Sequence, residues 1–225
     1  MTATVSIAVA GAGLIGKRHV EAIATAGARL HAIVDPAEGI ADYAARLGVA
    51  WFPSLAEMIA AGKPDGVVLA TPNQLHVENG LECIAAGMPT LVEKPIAGDA
   101  ASARRLVDAA EGAQVPLLVG HHRRHNPLVT AAKTAIEAGA LGRVVTIHGM
   151  FWLFKPDDYF DVEWRRQPSA GPLVVNLIHD VDLLRHLCGE IASVQALSSN
   201  AVRRNPVEET AAVLLAFENG ALGTV

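Results

Sequence analysis

The chain has 225 residues, 51% of them hydrophobic, and carries 18 basic against 23 acidic side chains for a net charge of −5. That length can bury a full core, or one domain and most of another. The charge balance and the absence of long basic runs exclude a nucleic-acid binder that works through a basic surface. No apolar stretch reaches the ~18 residues that a membrane span requires, and the apolar start has no basic leader. Cys83 and Cys188 both lie in apolar helical contexts and read as buried free thiols. The expectation is therefore a cytoplasmic protein.

In chain order, the first strand is the β-branched run Val5–Ala10, and it leads into Gly11-Ala12-Gly13-Leu14-Ile15-Gly16. A helical pattern from Leu14 to Ala26 follows. The glycines have separate tasks in a dinucleotide-binding turn: Gly11 turns the chain, Gly13 lets a pyrophosphate approach, and Gly16 brings the helix close to the sheet. The backbone N–H groups at the helix start, around Leu14 and Ile15, would face the phosphates. Taken alone, such a turn can be only a turn. The next strand, Leu30–Val34, ends in Asp35, about twenty residues after Gly16, the spacing at which an acid accepts hydrogen bonds from the adenosine ribose. A carboxylate there repels a 2′-phosphate, so NAD is favoured over NADP. The other reading of Asp35 is a cap for the next helix.

Strands and helices then alternate. A helix runs through Ile40, Tyr43, Ala44 and Leu47, Trp51-Phe52 is a short strand, and Ser54 with Glu57 forms a capping box. Gly66–Ala70 is an apolar strand of the buried parallel type. A helix over Val77–Ala86, a strand over Thr90–Val92, a helix over Ala101–Ala110 and a strand over Val115–Val119 complete the rhythm of a doubly wound parallel sheet. The polar, basic stretch His121–Pro127 reads as a linker, which gives domains over 1–122 and 123–225. In the second, Leu128–Ala138 and Ile178–Leu187 are helices. Val144–Phe151, Val194–Leu197 and Ala212–Phe217 are strands, and Asn219-Gly220 is a hairpin turn. The return strand Ala221–Val225 ends the chain, so this domain is expected to be incomplete. Residues 152–170 form a long irregular stretch of the kind that tends to be functional.

Two stations lie where ligands of such sheets bind, at the carboxyl ends of strands. Thr71-Pro72-Asn73 follows the strand ending at Ala70, and Thr71 and Asn73 are placed to touch a cofactor, unless the segment is only a cap for the next helix. Glu93-Lys94-Pro95 ends the next strand. Lys94 there, over the nicotinamide end of a cofactor, can hydrogen-bond the cofactor's ribose and the substrate hydroxyl and help that alcohol lose its proton as hydride departs, or it is a solvated charge paired with Glu93. Lys94-Pro95 is a candidate cis peptide. The cluster His121, His122 and His125 has no acid or cysteine at metal-ligand spacing, so no metal is expected.

The order G-x-G-x-x-G, strand-end Asp35, T-P-N-x-x-H (Thr71, Pro72, Asn73, His76) and E-K-P (Glu93, Lys94, Pro95) resembles the Gfo/Idh/MocA family of pyridine-nucleotide oxidoreductases. Gly120–Pro127 is similar to that family's G-x-x-x-R-x-N-P stretch, with Arg124 at its Arg position. The resemblance implies a Rossmann domain followed by an α/β domain whose open, mostly antiparallel sheet carries an oligomer interface, in a dimer or tetramer. It adds His76 and Glu93 to the cofactor contacts and Arg124 to the substrate contacts. The family's D-x-x-x-H-x-x-D segment aligns with Val175 to Asp182, so the resemblance makes His179 the catalytic base and Asp182, on the same helix face, a substrate contact. The family's first Asp is Val175 here, and Asn176 is the nearest polar replacement toward substrate. Tyr159, Trp164 and Arg165, just upstream, are a candidate wall of the substrate site.

These features together imply transfer of a hydride between NAD and a secondary alcohol of a sugar, cyclitol or similar polyol. Two alternatives share the fold: a lyase or glycosidase that retains its NAD, and a non-catalytic dinucleotide sensor, which Val175 makes conceivable.

Overall fold

The computed structural model describes residues 4–167, 171 and 173–225, with the side chain of Trp164 left out. The chain divides into two compact units, Met1–Gly120 and His121–Val225.

The first unit is a six-stranded, wholly parallel sheet in the order β3-β2-β1-β4-β5-β6. The strands are β1 (Ser6–Ala10), β2 (Arg29–Val34), β3 (Ala50–Phe52), β4 (Gly66–Leu69), β5 (Thr90–Val92) and β6 (Leu117–Val119). Helices α1 (Leu14–Thr25), α2 (Ile40–Arg46), α3 (Leu55–Ala61), α4 (His76–Ala85) and α5 (Ala100–Ala113) cross between them. The strands are continuously apolar because both faces are covered. Ala8, Ala10, Val67 and Leu69 point to one face, with Leu55, Met58, Ile84 and Leu106. Val9, Ile33 and Val68 point to the other, with Val20 and Ile23 of α1. Each such large side chain contributes about 1.5–3 kcal/mol by leaving water. Cys83 belongs to the first of these cores, and burial pushes its thiol up to about 12.

Local signals decide where the helices start. Ser54 accepts the Glu57 N–H as the expected cap of α3, and Asp99 does the same for Ser102 at α5. Asn126 caps the next helix through the Leu128 N–H, and Pro127 stands in its first turn.

The second unit holds α6 (Pro127–Glu137), β7 (Thr146–His148), α7 (Ile178–Cys188), β8 (Ile191–Ser199), β9 (Thr210–Phe217) and β10 (Leu222–Thr224). Its sheet order is β7-β10-β9-β8. β8 and β10 run antiparallel to β9, and β7 runs parallel to β10, so the sheet is mixed and mainly antiparallel. Asn219 makes the β9–β10 turn, donating to the Cys188 carbonyl and accepting from the Ala221 N–H. Val213, Leu215 and Phe217 of β9 face Leu184 of α7. The alternate residue Leu214 faces the other way with Leu197 and Leu222, all exposed.

Two features went beyond the sequence reading. The irregular stretch contains short 3₁₀ turns at Asp157–Asp161 and Glu163–Arg166, the first tied down by Arg203, which donates to Asp157 Oδ1 and to the Lys155 carbonyl. The turn before α7, Leu173–Leu177, is π-helical, an insertion often found at functional sites.

The tightest steric requirement lies at Gly16. A Cβ there would run into the Gly11 carbonyl, which is backbone and cannot swing away. Gly16→Ala is therefore expected to cost about 2–4 kcal/mol of stability, read as a lowered midpoint in urea unfolding.

Candidate functional site

In the first unit, the strand order reverses between β1 and β4, and the glycine turn, Asp35, Thr71 and Lys94 all follow the carboxyl ends of strands around that point. Gly11 has φ +88, and a side chain there would strike the Ala70 backbone beyond β4. At Gly13 a Cβ would meet nothing within 4 Å, so space lies open over the turn. The first turn of α1 has no acid to oppose an anion. Leu14 and Ile15 are exposed beside it.

Asp35 is fixed by the backbone. Its Oδ2 accepts the Ala12 N–H at 2.7 Å and its Oδ1 accepts the Ala37 N–H at 2.8 Å. The carboxylate is thus held against the glycine turn with lone pairs still available on each oxygen. It does not cap α2, whose cap is Gly39. The Thr71 hydroxyl is buried without a hydrogen-bond partner among the described residues, at the edge of the same region. Open space at Gly13, an acid-free helix start, a fixed carboxylate and an unsatisfied hydroxyl together fit a dinucleotide.

His76 does not have the role expected of it. It is fully buried, with Nδ1 2.8 Å from the Pro95 carbonyl and Nε2 2.8 Å from the Thr71 carbonyl. Both ring nitrogens are engaged, so it ties the segment after β4 to the one after β5 and offers no polar atom to a cofactor. Pro72 precedes a short 3₁₀ turn, Asn73–Leu75, that feeds α4. Glu93 is likewise occupied: Oε1 lies 2.8 Å from His19 Nε2, and Oε2 accepts the Lys94 N–H. Burial raises the Glu93 pKa, but His19 and Lys94 outweigh it, and the carboxyl lies below its usual range. His19 was missed from sequence. Its position one turn after Gly16 on α1 is the signal that could have found it. The Lys94–Pro95 peptide is cis, as its sequence allowed.

In the second unit, His179 lies in the first turn of α7. Asp182 is only 6% exposed, and both its oxygens are taken by Arg124: Nε donates to Oδ2 at 2.8 Å and Nη2 to Oδ1 at 2.6 Å. The pair clamps the linker to α7. Arg123 adds a second bridge to Asp180 Oδ1 at 3.0 Å. Asn176, in the π turn, lines a cavity of about 520 Å³ with Phe151, Trp152, Phe154 and Arg203. Tyr159 and Arg165 pack on each other, the guanidinium 4.2 Å from the ring centroid. The Trp164 side chain, and Ala170 and Pro172 of the stretch leading to His179, lie outside the described residues. No group of three or more His, Cys, Asp or Glu among the described residues is arranged to hold a metal ion.

Residues 5–121 match the family described as "Oxidoreductase family, NAD-binding Rossmann fold", and residues 129–225 match its "GFO/IDH/MocA C-terminal domain". The chain belongs to the Gfo/Idh/MocA family. Among its relatives is the rhizopine catabolism protein MocA of Rhizobium meliloti, 29% identical across 97% of this chain and 69% of that protein. An inositol 2-dehydrogenase of Rhodococcus erythropolis is 33% identical across 95% of this chain and 62% of its own length. Among solved structures, the WlbA dehydrogenase from Bordetella pertussis, in complex with NADH and UDP-GlcNAcA, has a TM-score of 0.91 and 33% identity over 100% of this chain and 67% of that one. The chain thus spans about two thirds of the length of these Gfo/Idh/MocA relatives.

The Glu93–His19 pair generates a pH expectation. The folded-state pKa of Glu93 is depressed, so its ionised form stabilises the fold above the unfolded value, and that contribution is lost as pH falls through the folded pKa. Replacing His19 by Ala should raise the Glu93 pKa and reduce the loss of stability on acidification. Carbon-detected NMR titration of Glu93 and urea unfolding between neutral and acidic pH would show both effects.

Proposed function

We infer that the chain is the catalytic portion of an NAD-dependent dehydrogenase acting on a CH–OH group of a sugar, cyclitol or similar polyol. The observation that carries this reading is the match of both halves to one family whose relatives include inositol 2-dehydrogenases, together with a fixed Asp35 carboxylate beside an open glycine turn.

NAD, when bound, supplies the hydride acceptor. Asp35 would hold the adenosine ribose, and the Gly13–Gly16 turn with the α1 N-terminus would hold the pyrophosphate. Thr71 and Asn73 would border the cofactor further along. Lys94, at the carboxyl end of β5, would stabilise the negative charge that grows on the substrate oxygen. His179 would take the hydroxyl proton as general base. Asn176, on the turn before it, would hydrogen-bond neighbouring hydroxyls of the polyol. Tyr159, Trp164 and Arg165 remain the proposed wall of the substrate site.

The exposed face of the second sheet, with Leu197, Leu214 and Leu222, supports association with a second copy of the chain in a homo-oligomer. No helix among the described residues is long and apolar enough to cross a membrane. Two free cysteines support a reducing compartment, the cytoplasm.

Purified protein should reduce NAD with at least one member of a panel of cyclitols and sugars, followed at the absorbance of the reduced cofactor. Lys94→Ala and His179→Ala should each lower kcat by about 10²–10⁴ while leaving the NAD dissociation constant within a factor of about two. Release of an aglycone without net cofactor reduction would instead indicate the retained-NAD chemistry, and NAD binding without any turnover would indicate a sensor.

A further inference from the structure

The histidine-rich linker has a use that the family motif does not assign. In the second unit, the His122 ring stands edge-on to the His179 ring, with centroids 5.1 Å apart and planes at 71°. His121 lies behind, at 6.5 Å and 89°. His179 is half-buried in the first turn of α7, whereas His122 is exposed to solvent. The carboxylate four residues before the base in the family's segment is Val175 here. The nearest ring that can carry a proton is therefore another imidazole.

The charges around the pair are matched. On α7, Asp180 faces Arg123 and Asp182 faces Arg124, so two acids and two bases cancel beside the rings. His121 Nδ1 lies 3.7 Å from Asp182 Oδ2. Lys133 of α6 acts at the far end of α7, on Cys188, and Glu190 adds to the field at Arg124. Because the Arg124 fork occupies both Asp182 oxygens, it fixes the linker turn against α7 with the angular precision of a bidentate pair. That clamp holds the linker turn, which carries His122, against α7, which carries His179.

We propose that His122 is a further functional residue of this site, forming with His179 a two-imidazole proton path to solvent, and that Arg124 is the positioning residue that holds the two rings together. This rests on the dehydrogenase reading above. The substrate O–H bond breaks and an N–H bond forms on His179. The His179 N–H bond then breaks as one bridging water takes that proton and gives one to a ring nitrogen of His122, and the other His122 nitrogen releases its proton to bulk water, so both imidazoles return to their neutral forms. The second imidazole supplies the exchangeable proton site that Val175 cannot.

The test uses the full chain and four variants. His122→Phe keeps an edge-on ring that cannot carry a proton, and should lower kcat about tenfold or more with NAD affinity unchanged and the pH profile altered. His122→Ala should show the same loss, and added imidazole should restore it in part. Arg124→Lys keeps the charge but loses the fork, and should lower kcat with little change in KM. His125→Phe, on the same turn but with an exposed ring outside the pair, should leave kcat unchanged. Wild-type kcat and pH profile in His122→Phe, no rescue of His122→Ala by imidazole, or equal damage from His125→Phe would each overturn the proposal.

An arm independent of turnover separates this proposal from the reading beneath it. In nitrogen-15 histidine NMR, replacing His122 by Phe removes a ring able to carry like charge, so the His179 titration should move up by about half a pH unit or more. No movement overturns the pair. Movement in a chain that oxidises no polyol upholds the pair and removes the dehydrogenase reading instead.

Discussion

The first unit depends on a close approach between two stretches of backbone. Gly16 of α1 lies against the carbonyl of Gly11, and Gly11 in turn lies against the backbone that follows β4. Neither approach tolerates a Cβ. Together they set the N-terminus of α1 over the point where the sheet order reverses, between β1 and β4. The open space at Gly13, the unsatisfied Thr71 hydroxyl and the carboxylate of Asp35 are all arranged around that placement. Asp35 is part of the same device, because the Ala12 N–H inside the glycine turn is one of its two backbone donors. A carboxylate held by the turn it serves costs little further ordering when a ribose binds.

In the second unit the organising contact is ionic. Asp182 is a nearly buried carboxylate, a costly group unless fully paired, and the Arg124 fork pairs it on both oxygens. Burial lowers the Arg124 pKa somewhat, but the stronger hydrogen bond to Asp182 leaves it raised. What it secures is geometry, with α7 and the linker turn held in one relation and His179 beside His122.

The sheets and crossing helices were legible because periodicity and punctuation agree. Continuous apolar runs become the parallel strands, Ser54 and Asp99 become caps, and Asn219-Gly220 becomes a hairpin turn. The unit boundary falls at Gly120–His121, two residues before the change in composition places it. Less legible were partners distant in sequence. Nothing local says that His76 turns inward between two carbonyls, that His19 meets Glu93, or that Arg124 and Asp182 satisfy each other across the linker. Polar residues in a motif were read as facing a ligand, whereas several of them face one another. The π turn before α7 was equally hidden, because its sequence, Leu173–Leu177, is ordinary helix former and strand former mixed.

The glycine turn and Asp35 together suit a dinucleotide with a free adenosine ribose. Calorimetric titration of the protein with NAD and with NADP, repeated on Asp35→Ser, measures this directly. The account predicts that NAD binds the wild type about tenfold or more tighter than NADP, and that the substitution narrows the difference by weakening NAD and admitting the 2′-phosphate. Equal affinity of the wild type for both, or a preference unchanged by losing the carboxylate, would contradict it.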